Sequence, residues 1–113
     1  MLIYKIFRAE EWEAFEAAGV TNGAQIDLSD GYIHFSTSTQ VAETAAKYFI
    51  GSDGLMLVAV DDETMDHLLK WEPSRGGALF PHLYRSLHMS DVVWAVPLPL
   101  KNGRHDFPQG VLK

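Results

Sequence analysis

Two observations predict an α+β fold for this chain of 113 residues. Strand-like and helix-like segments alternate in the first half, whereas strand-like segments dominate the second half. Alternation along the whole chain would instead favour a doubly wound parallel sheet. The length suits one domain, and no linker, repeat or low-complexity stretch divides it. We therefore expect a single domain over residues 1–113.

Composition excludes several classes of protein. A hydrophobic content of 47% with 12% aromatic residues excludes a disordered chain. The lack of cysteine excludes a disulfide scaffold, a Cys-ligated zinc site and a cysteine nucleophile. A net charge of −6 argues against long nucleic acids as partners. No signal-peptide pattern or membrane-length apolar run is seen, so we expect a cytoplasmic protein with no membrane partner.

The charge is unevenly distributed along the chain. Residues 9–69 contain twelve acids and one base, whereas residues 70–113 contain three acids and six bases. One interpretation is simply a solvated acidic helix face. The other is that the second half supplies cations to a small anionic ligand.

The first elements follow from periodicity. Residues 2–7 alternate loosely between apolar and polar side chains, which predicts a strand. Residues 9–18 place Trp12 and Phe15 on one face, which predicts an amphipathic helix ending at Gly19.

A loop and a short strand are expected next, over residues 20–31 and 32–35. Thr37 and Gln40 then have the spacing of a capping box and predict the start of a helix. The apolar spacing continues that helix to about Ile50.

The middle of the chain predicts a buried central strand over residues 55–60, because six consecutive residues are apolar. A short helix over residues 61–68 would follow, with its acids at the positive N-terminus. Residues 69–72 are expected to form a strand closed by Pro73, before a flexible glycine-rich loop.

Two further segments are expected to be extended. Residues 79–84 read as a strand, and Pro81 predicts that this strand is not a central one. The last clear strand is predicted over residues 91–98, followed by an irregular tail over about 99–113.

Three short stretches contain the candidate site residues. His34 lies in a short strand that leads into Ser36 and Thr37, and a hydroxyl-rich helix start can bind an anion. The alternative is a helix cap beside a histidine satisfied in the core.

Glu72 lies between Trp71 and Pro73, where partial desolvation would raise its pKa and suit acid–base work. The alternative is an ordinary surface glutamate. His82 and Tyr84 are expected on one side of an extended segment, because side chains alternate along a strand. An edge strand with two polar tips is the alternative there.

A metal site is not expected. His34, His82 and His88 could converge on an ion, but their spacing matches no metal-binding motif.

The stretches Gly31 to Thr37, Trp71–Glu72 and Phe80 to Tyr84, in this order, resemble a small family of uncharacterised bacterial and plant proteins. That family is grouped with the ADP-ribosylation fold, so the resemblance implies a split, mixed or antiparallel sheet with two or three helices. It further implies NAD as the cofactor. Lys5 stands where the family often has a histidine, which puts ordinary NAD use in doubt.

The leading hypothesis is therefore a domain that binds NAD or a related nucleotide and transfers ADP-ribose. The resemblance implies catalytic roles for His34, Glu72 and His82. The predicted ligand-binding residues are Ser36, Thr37, Arg75, Tyr84 and Arg85. The alternatives are a non-catalytic binding module for a small molecule or nucleotide, and a metal- or His-dependent hydrolase.

Overall fold

The computed structural model describes residues 1–112, with the side chain of Arg75 outside that description. Three helices are present: α1 (Ala9–Ala18), α2 (Gln25–Asp30) and α3 (Val41–Tyr48). The strands are β1 (Leu2–Phe7), β2 (Val20–Thr21), β3 (Ile33–His34), β4 (Leu55–Asp61), β5 (Leu69–Pro73), β6 (Leu79–Leu83), β7 (Leu87–His88), β8 (Val92–Leu98), β9 (Leu100–Lys101) and β10 (Arg104–His105). None of the described helices is both long and apolar enough to cross a membrane.

The strands form separate antiparallel sheets. The first sheet has the order β1-β4-β8, and the second has the order β3-β6-β5. Two smaller pairs, β2 with β7 and β9 with β10, complete the architecture. A bridge between Tyr4 and Ser36 connects β1 to the segment that follows β3. The α+β prediction is therefore confirmed.

β4 is the buried centre of the first sheet, as predicted. Its side chains alternate between two apolar clusters, with Leu57 and Ala59 in one and Val58 and Val60 in the other. All four are fully buried. A strand covered on both faces needs apolar residues at every position, and this explains the continuous apolar run.

The prediction of a loop over residues 20–31 is wrong, because this segment contains β2 and the short helix α2. The helix has no apolar stripe, since Ile26 and Leu28 are 59% and 63% exposed. Asp27 stabilises it instead by accepting a hydrogen bond from the Ala24 N–H at 2.7 Å. The side chain that satisfies the helix start thus comes from inside the helix, where periodicity does not reveal it.

α3 begins one turn later than predicted. Gln40 Oε1 accepts a hydrogen bond from the Thr37 N–H at 3.0 Å, as a capping box requires. The intervening residues form a turn rather than helix, and α3 starts at Val41 and ends at Tyr48. The helix therefore starts later along the chain after His34 than the capping box predicts.

The expectation that Pro81 excludes a central position is wrong, because β6 is the middle strand of its sheet. The Pro81 carbonyl accepts a hydrogen bond from the Phe35 N–H at 3.0 Å, so the missing N–H of Pro81 faces β3. β3 ends at His34. The proline ring therefore lies where its neighbour strand is already leaving the sheet.

Three smaller differences concern the turns and the tail. Residues 61–68 form the end of β4 and two 3-10 turns, Asp62–Thr64 and Asp66–Leu68, instead of one helix. The glycine-rich loop contains a 3-10 turn, Arg75–Gly77. The tail is less irregular than predicted, because β9 and β10 form a short hairpin.

Replacing a fully buried side chain of β4 should destabilise the protein strongly. We expect Leu57→Ala to lower the free energy of unfolding by about 2–5 kcal/mol through lost burial and the cavity left behind. The exposed Val93 is the matched control, and Val93→Ala should change stability by less than about 0.5 kcal/mol. Denaturant unfolding measures both. Equal effects of the two substitutions would contradict the assignment of β4 as the core strand.

Candidate functional site

Two histidines from different parts of the sequence meet on neighbouring strands. The register of β3 and β6 pairs His34 with His82, and their ring centroids are 5.2 Å apart. The Tyr32 ring lies against both, with centroid distances of 4.6 Å to His34 and 4.2 Å to His82. Antiparallel pairing alone therefore assembles an aromatic and polar cluster from two distant motifs.

The Asp27 carboxylate holds His34 in place. Its side chain is fully buried, and Oδ1 lies 2.6 Å from His34 Nδ1 while accepting from the His34 N–H at 3.1 Å. Oδ2 lies 2.6 Å from Lys5 Nζ on β1. One carboxylate therefore connects α2, β1 and β3.

The electrostatics of this group follow from its burial. Burial acts to raise the pKa of Asp27, but the hydrogen bond to His34 and the charge of Lys5 outweigh it and hold that pKa below its usual value. Burial lowers the pKa of Lys5, opposed by the Asp27 carboxylate. Lys5 thus compensates the buried charge of Asp27 and is held by it.

Both ring nitrogens of His34 face carboxylates. Nδ1 meets Asp27, and Nε2 lies 3.0 Å from Asp30 Oδ2 at the end of α2. A carboxylate only accepts hydrogen bonds, so each of these two contacts suits a ring N–H of His34. Both His34 nitrogens are therefore occupied by the protein, while Asp30 is partly exposed and keeps acceptor capacity.

Glu72 holds the second histidine. Glu72 Oε1 lies 2.9 Å from His82 Nδ1 and accepts a hydrogen bond from the Tyr84 hydroxyl at 2.6 Å. His82 and Tyr84 therefore share one side of their segment, as predicted, although Tyr84 lies just beyond the end of β6. Lys70 Nζ lies 5.1 Å from the centre of the Tyr84 ring.

The prediction that the pKa of Glu72 is raised is wrong. The hydrogen bond from Tyr84 and the contact with His82 lower the pKa of Glu72, and they outweigh the opposing effect of desolvation. The same hydrogen bond raises the pKa of Tyr84 to about 12. The neighbouring Trp71 and Pro73 thus matter less than two partners that are ten or more residues away.

This arrangement leaves one nitrogen of His82 without a partner. Because the ionised Glu72 can only accept, His82 Nδ1 is the donor and carries the hydrogen, and in the neutral ring Nε2 then holds the lone pair. The His82 side chain is 3% exposed, and Nε2 has no hydrogen-bond partner among the residues that the structure describes. Buried polar atoms without partners are uncommon in folded proteins and call for an explanation.

A cleft of about 760 Å³ runs along this cluster. Its wall includes Lys5, Asp30, Tyr32, His34 and His82. The volume is in the range of small-molecule sites, which is about 300–1,000 Å³. Aromatic side chains of α3 and its C-terminal end, Tyr48 and Phe49, line the same space.

The two predicted hydroxyl donors, Ser36 and Thr37, lie in different surroundings. Ser36 lines the cleft but is buried, and its Oγ lies 2.8 Å from Thr44 Oγ1. Thr37 Oγ1 lies 3.1 Å from Thr39 Oγ1 in the turn before α3. Neither hydroxyl therefore joins the histidine cluster directly.

Arg85, one of the two predicted cationic pyrophosphate donors, is paired within the protein. The Arg85 guanidinium donates to Asp91 Oδ2 at 2.9 Å and Oδ1 at 3.2 Å, and to the Ser86 carbonyl at 2.7 Å. Arg85 is therefore held by Asp91 and Ser86, and its ligand-binding role stays a prediction. The Arg75 side chain lies outside the described residues.

The histidines do not converge on a metal. His88 lies on β7, which pairs with β2 away from the β3-β6-β5 sheet. Within residues 1–112, the group of side chains close enough to share an ion is acidic and contains no histidine: Asp61, Asp62 and Glu63.

The sequence reasoning missed Asp27, Asp30 and Tyr32. The turn-like composition around Asp27 concealed a helix, and an isolated acid has no motif to mark it. One signal was available: Asp30 directly precedes the stretch already singled out, and it lies four residues before His34 and two before the aromatic Tyr32.

The buried pair makes a strong prediction about stability. We expect Lys5→Met to lower the free energy of unfolding by about 3–5 kcal/mol, because Asp27 would be left as an uncompensated buried charge. Lys47 pairs with Glu43 on the surface of α3, so Lys47→Met should cost no more than about 0.5 kcal/mol. Denaturant unfolding at neutral pH measures both. A Lys5→Met protein as stable as the wild type would refute the pairing.

Titration of Tyr84 tests its hydrogen bond to Glu72. The bond favours the neutral phenol, so its contribution to stability is complete below the ordinary tyrosine pKa of about 10. That contribution is lost as the pH rises through about 12, the pKa of Tyr84 in the folded protein. We expect Glu72→Gln to move the pKa of Tyr84 back toward 10, as ultraviolet absorbance would show.

Tyr84→Phe identifies which absorbance step belongs to this residue, because Tyr4 and Tyr32 also have raised pKa values. An unchanged Tyr84 step in Glu72→Gln would show that the carboxylate does not control it.

The comparisons with known proteins place the chain in a family. The crystal structure of the protein CC0527 from Caulobacter crescentus has 48% sequence identity to this chain, covers 94% of both chains and superposes with a TM-score of 0.90. The crystal structure of a double-substituted variant of CC0527 gives 50% identity, 94% coverage of each chain and a TM-score of 0.90. A solution NMR structure of CC0527 gives 49% identity, 92% and 90% coverage and a TM-score of 0.83.

No curated protein sequence matches this one. The implied ADP-ribosylation fold gains no support from these comparisons. Residues 6–95 match the family described as a protein of unknown function, DUF952. That match spans most of the chain, and the chain therefore belongs to the DUF952 family.

Proposed function

We propose that this protein binds a hydroxyl-bearing, nucleotide-like small molecule of the NAD class in the cleft beside His34 and His82. One observation carries the proposal: a buried imidazole nitrogen, His82 Nε2, has no partner within the described chain and belongs to a residue of the cleft wall. A ligand hydroxyl would supply the missing hydrogen. Burial of an unsatisfied acceptor costs about 1–3 kcal/mol, so a ligand that satisfies it gains affinity.

Asp30 is the group best suited to hold a ribose. Its carboxylate is 40% exposed, lines the cleft and is oriented by His34 Nε2 at 3.0 Å. Its remaining lone pairs can accept hydrogen bonds from neighbouring sugar hydroxyls, as acidic residues do in dinucleotide sites. His34 would then act by positioning Asp30.

Arg8 is the cation placed to meet a phosphate. It lines the cleft and is exposed, and its guanidinium carbon lies 4.9 Å from the centre of the Phe49 ring. Lys5 is paired with Asp27 and Arg85 with Asp91, so neither competes for this role. An anionic part of the ligand would lie near Arg8, away from Asp30.

The reaction that the family resemblance implies is transfer of ADP-ribose from NAD, on an ADP-ribosylation-type scaffold. His34, Glu72 and His82 do lie in one cluster, which such a reaction would need.

A non-catalytic binding module is the second candidate, and one observation favours it. Glu72 Oε1 already receives hydrogen bonds from Tyr84 and His82, so Glu72 is held by the protein. A module that has lost the reaction would bind the nucleotide and leave it intact.

Calorimetry with NAD, ADP-ribose and nicotinamide tests the binding proposal. We expect heat of binding for NAD and ADP-ribose, and we expect Asp30→Ala to weaken both by about tenfold through the loss of charge-assisted hydrogen bonds. Nicotinamide lacks a ribose, so Asp30→Ala should leave any affinity for it unchanged.

Glu13 lies exposed on α1 and provides the control, because Glu13→Ala removes one carboxylate outside the cleft. Absence of heat for all three compounds, or equal effects of the two substitutions, would refute a ribose-binding cleft.

A further inference from the structure

We propose that His82 is the general base of a glycosyl-transfer reaction in this cleft, and that Glu72 and Tyr84 are its positioning residues. This inference rests on the proposed function, and it moves the reactive role from the carboxylate to the imidazole. The substrate class is an N-glycosylated pyridinium such as NAD, and the acceptor is water or an alcohol.

The hydrogen bonds determine which nitrogen is basic. Glu72 is the acceptor of two hydrogen bonds at Oε1, so His82 Nδ1 donates and Nε2 keeps the lone pair. The Tyr84 hydroxyl at 2.6 Å fixes the carboxylate, and the carboxylate fixes the ring. A nucleophile or its base oriented by a third group is the general logic of such sites.

No other group of the cluster combines burial, a fixed position and a free lone pair. Both nitrogens of His34 are occupied by carboxylates, so neither is free to meet a substrate. Lys5 is paired with Asp27, and Asp30 is engaged by His34 while lying 40% exposed. His82 alone among these residues combines burial, a fixed ring and a free lone pair.

The bonds, electron pair and proton of the transfer step are all accounted for when His82 is the base. The hydroxyl oxygen of the acceptor forms a bond to the anomeric carbon of the ribose, and the bond from that carbon to the pyridinium nitrogen breaks. The electron pair of the broken bond neutralises the pyridinium, which leaves as nicotinamide. The proton of the acceptor moves to His82 Nε2, and Glu72 stabilises the resulting imidazolium.

The Tyr32 ring must move before the substrate can reach His82 Nε2. Its ring lies 4.2 Å from His82 and 5.2 Å from Tyr84, measured between centroids, and it belongs to the cleft wall. Tyr32 is partly exposed, and the proposed step requires its ring to turn toward solvent. The pyridinium ring of the substrate is an aromatic group that can replace it in the stack.

The test measures nicotinamide release from NAD in water by chromatography, alongside calorimetric NAD binding. We expect His82→Gln to reduce the rate of release at saturating NAD by about 10²–10⁴-fold, the usual contribution of a general base, in addition to any loss of NAD affinity that calorimetry measures. The acid limb of the rate against pH should disappear with it. His67 is 88% exposed, so His67→Gln is the matched control and should retain the wild-type rate.

Glu72→Gln is the second variant, because Glu72 is 36% exposed and its replacement keeps the shape of the side chain. We expect a slower release with NAD affinity retained and an altered pH profile, which a purely structural role would not produce. Tyr84→Phe should have a smaller effect in the same direction. Circular dichroism confirms that each variant is folded.

The binding and release measurements distinguish failure of this inference from failure of the proposed function. NAD binding without nicotinamide release by the wild type overturns this inference and leaves the binding proposal standing. Release that persists within about threefold in His82→Gln, with the acid limb retained, also overturns it. Absence of NAD binding overturns the proposed function itself.

Discussion

The buried carboxylate of Asp27 is the interaction on which the site depends. It contacts Lys5 on β1, the ring and backbone of His34 on β3, and the backbone of Ala24 at the start of its own helix. A single side chain therefore satisfies the start of a helix that lacks an apolar stripe and joins it to two sheets. Lys5 makes this possible, because an isolated buried carboxylate would be strongly destabilising. The position of α2, and with it one wall of the cleft, follows from this pair.

The two paired histidines have different hydrogen-bonding partners, although the same strand register places them side by side. His34 faces a carboxylate at each nitrogen, whereas His82 faces one carboxylate and its Nε2 has no partner among the described residues. The difference comes from their partners, since Asp27 and Asp30 belong to α2 and Glu72 belongs to β5. A ligand in the cleft would meet two fixed acceptors, the Asp30 carboxylate on the His34 side and Nε2 of His82, which favours a ligand that carries hydroxyl donors.

The sequence predicts most of the fold and only part of the site. β4 and α1 have strong periodic signals, because burial on both faces or on one face repeats at the spacing of the element. α2 has no such signal, since a polar contact inside the fold holds it rather than an apolar face. Glu72 and His82 were identified by their local motifs, but the direction of the Glu72 pKa shift depends on Tyr84, a partner that only strand pairing brings near. Local composition cannot supply a contact between distant residues.

The state of His82 is the centre of the functional account, because binding and proton transfer both require a lone pair at Nε2. Nitrogen NMR of the ligand-free protein labelled at histidine measures this state directly. The account predicts a His82 ring with the hydrogen at Nδ1, coupled to Glu72, and an unprotonated Nε2. A His82 ring that carries its hydrogen at Nε2 near neutral pH would contradict it, since Glu72 would then face a lone pair and the cleft would face a donor.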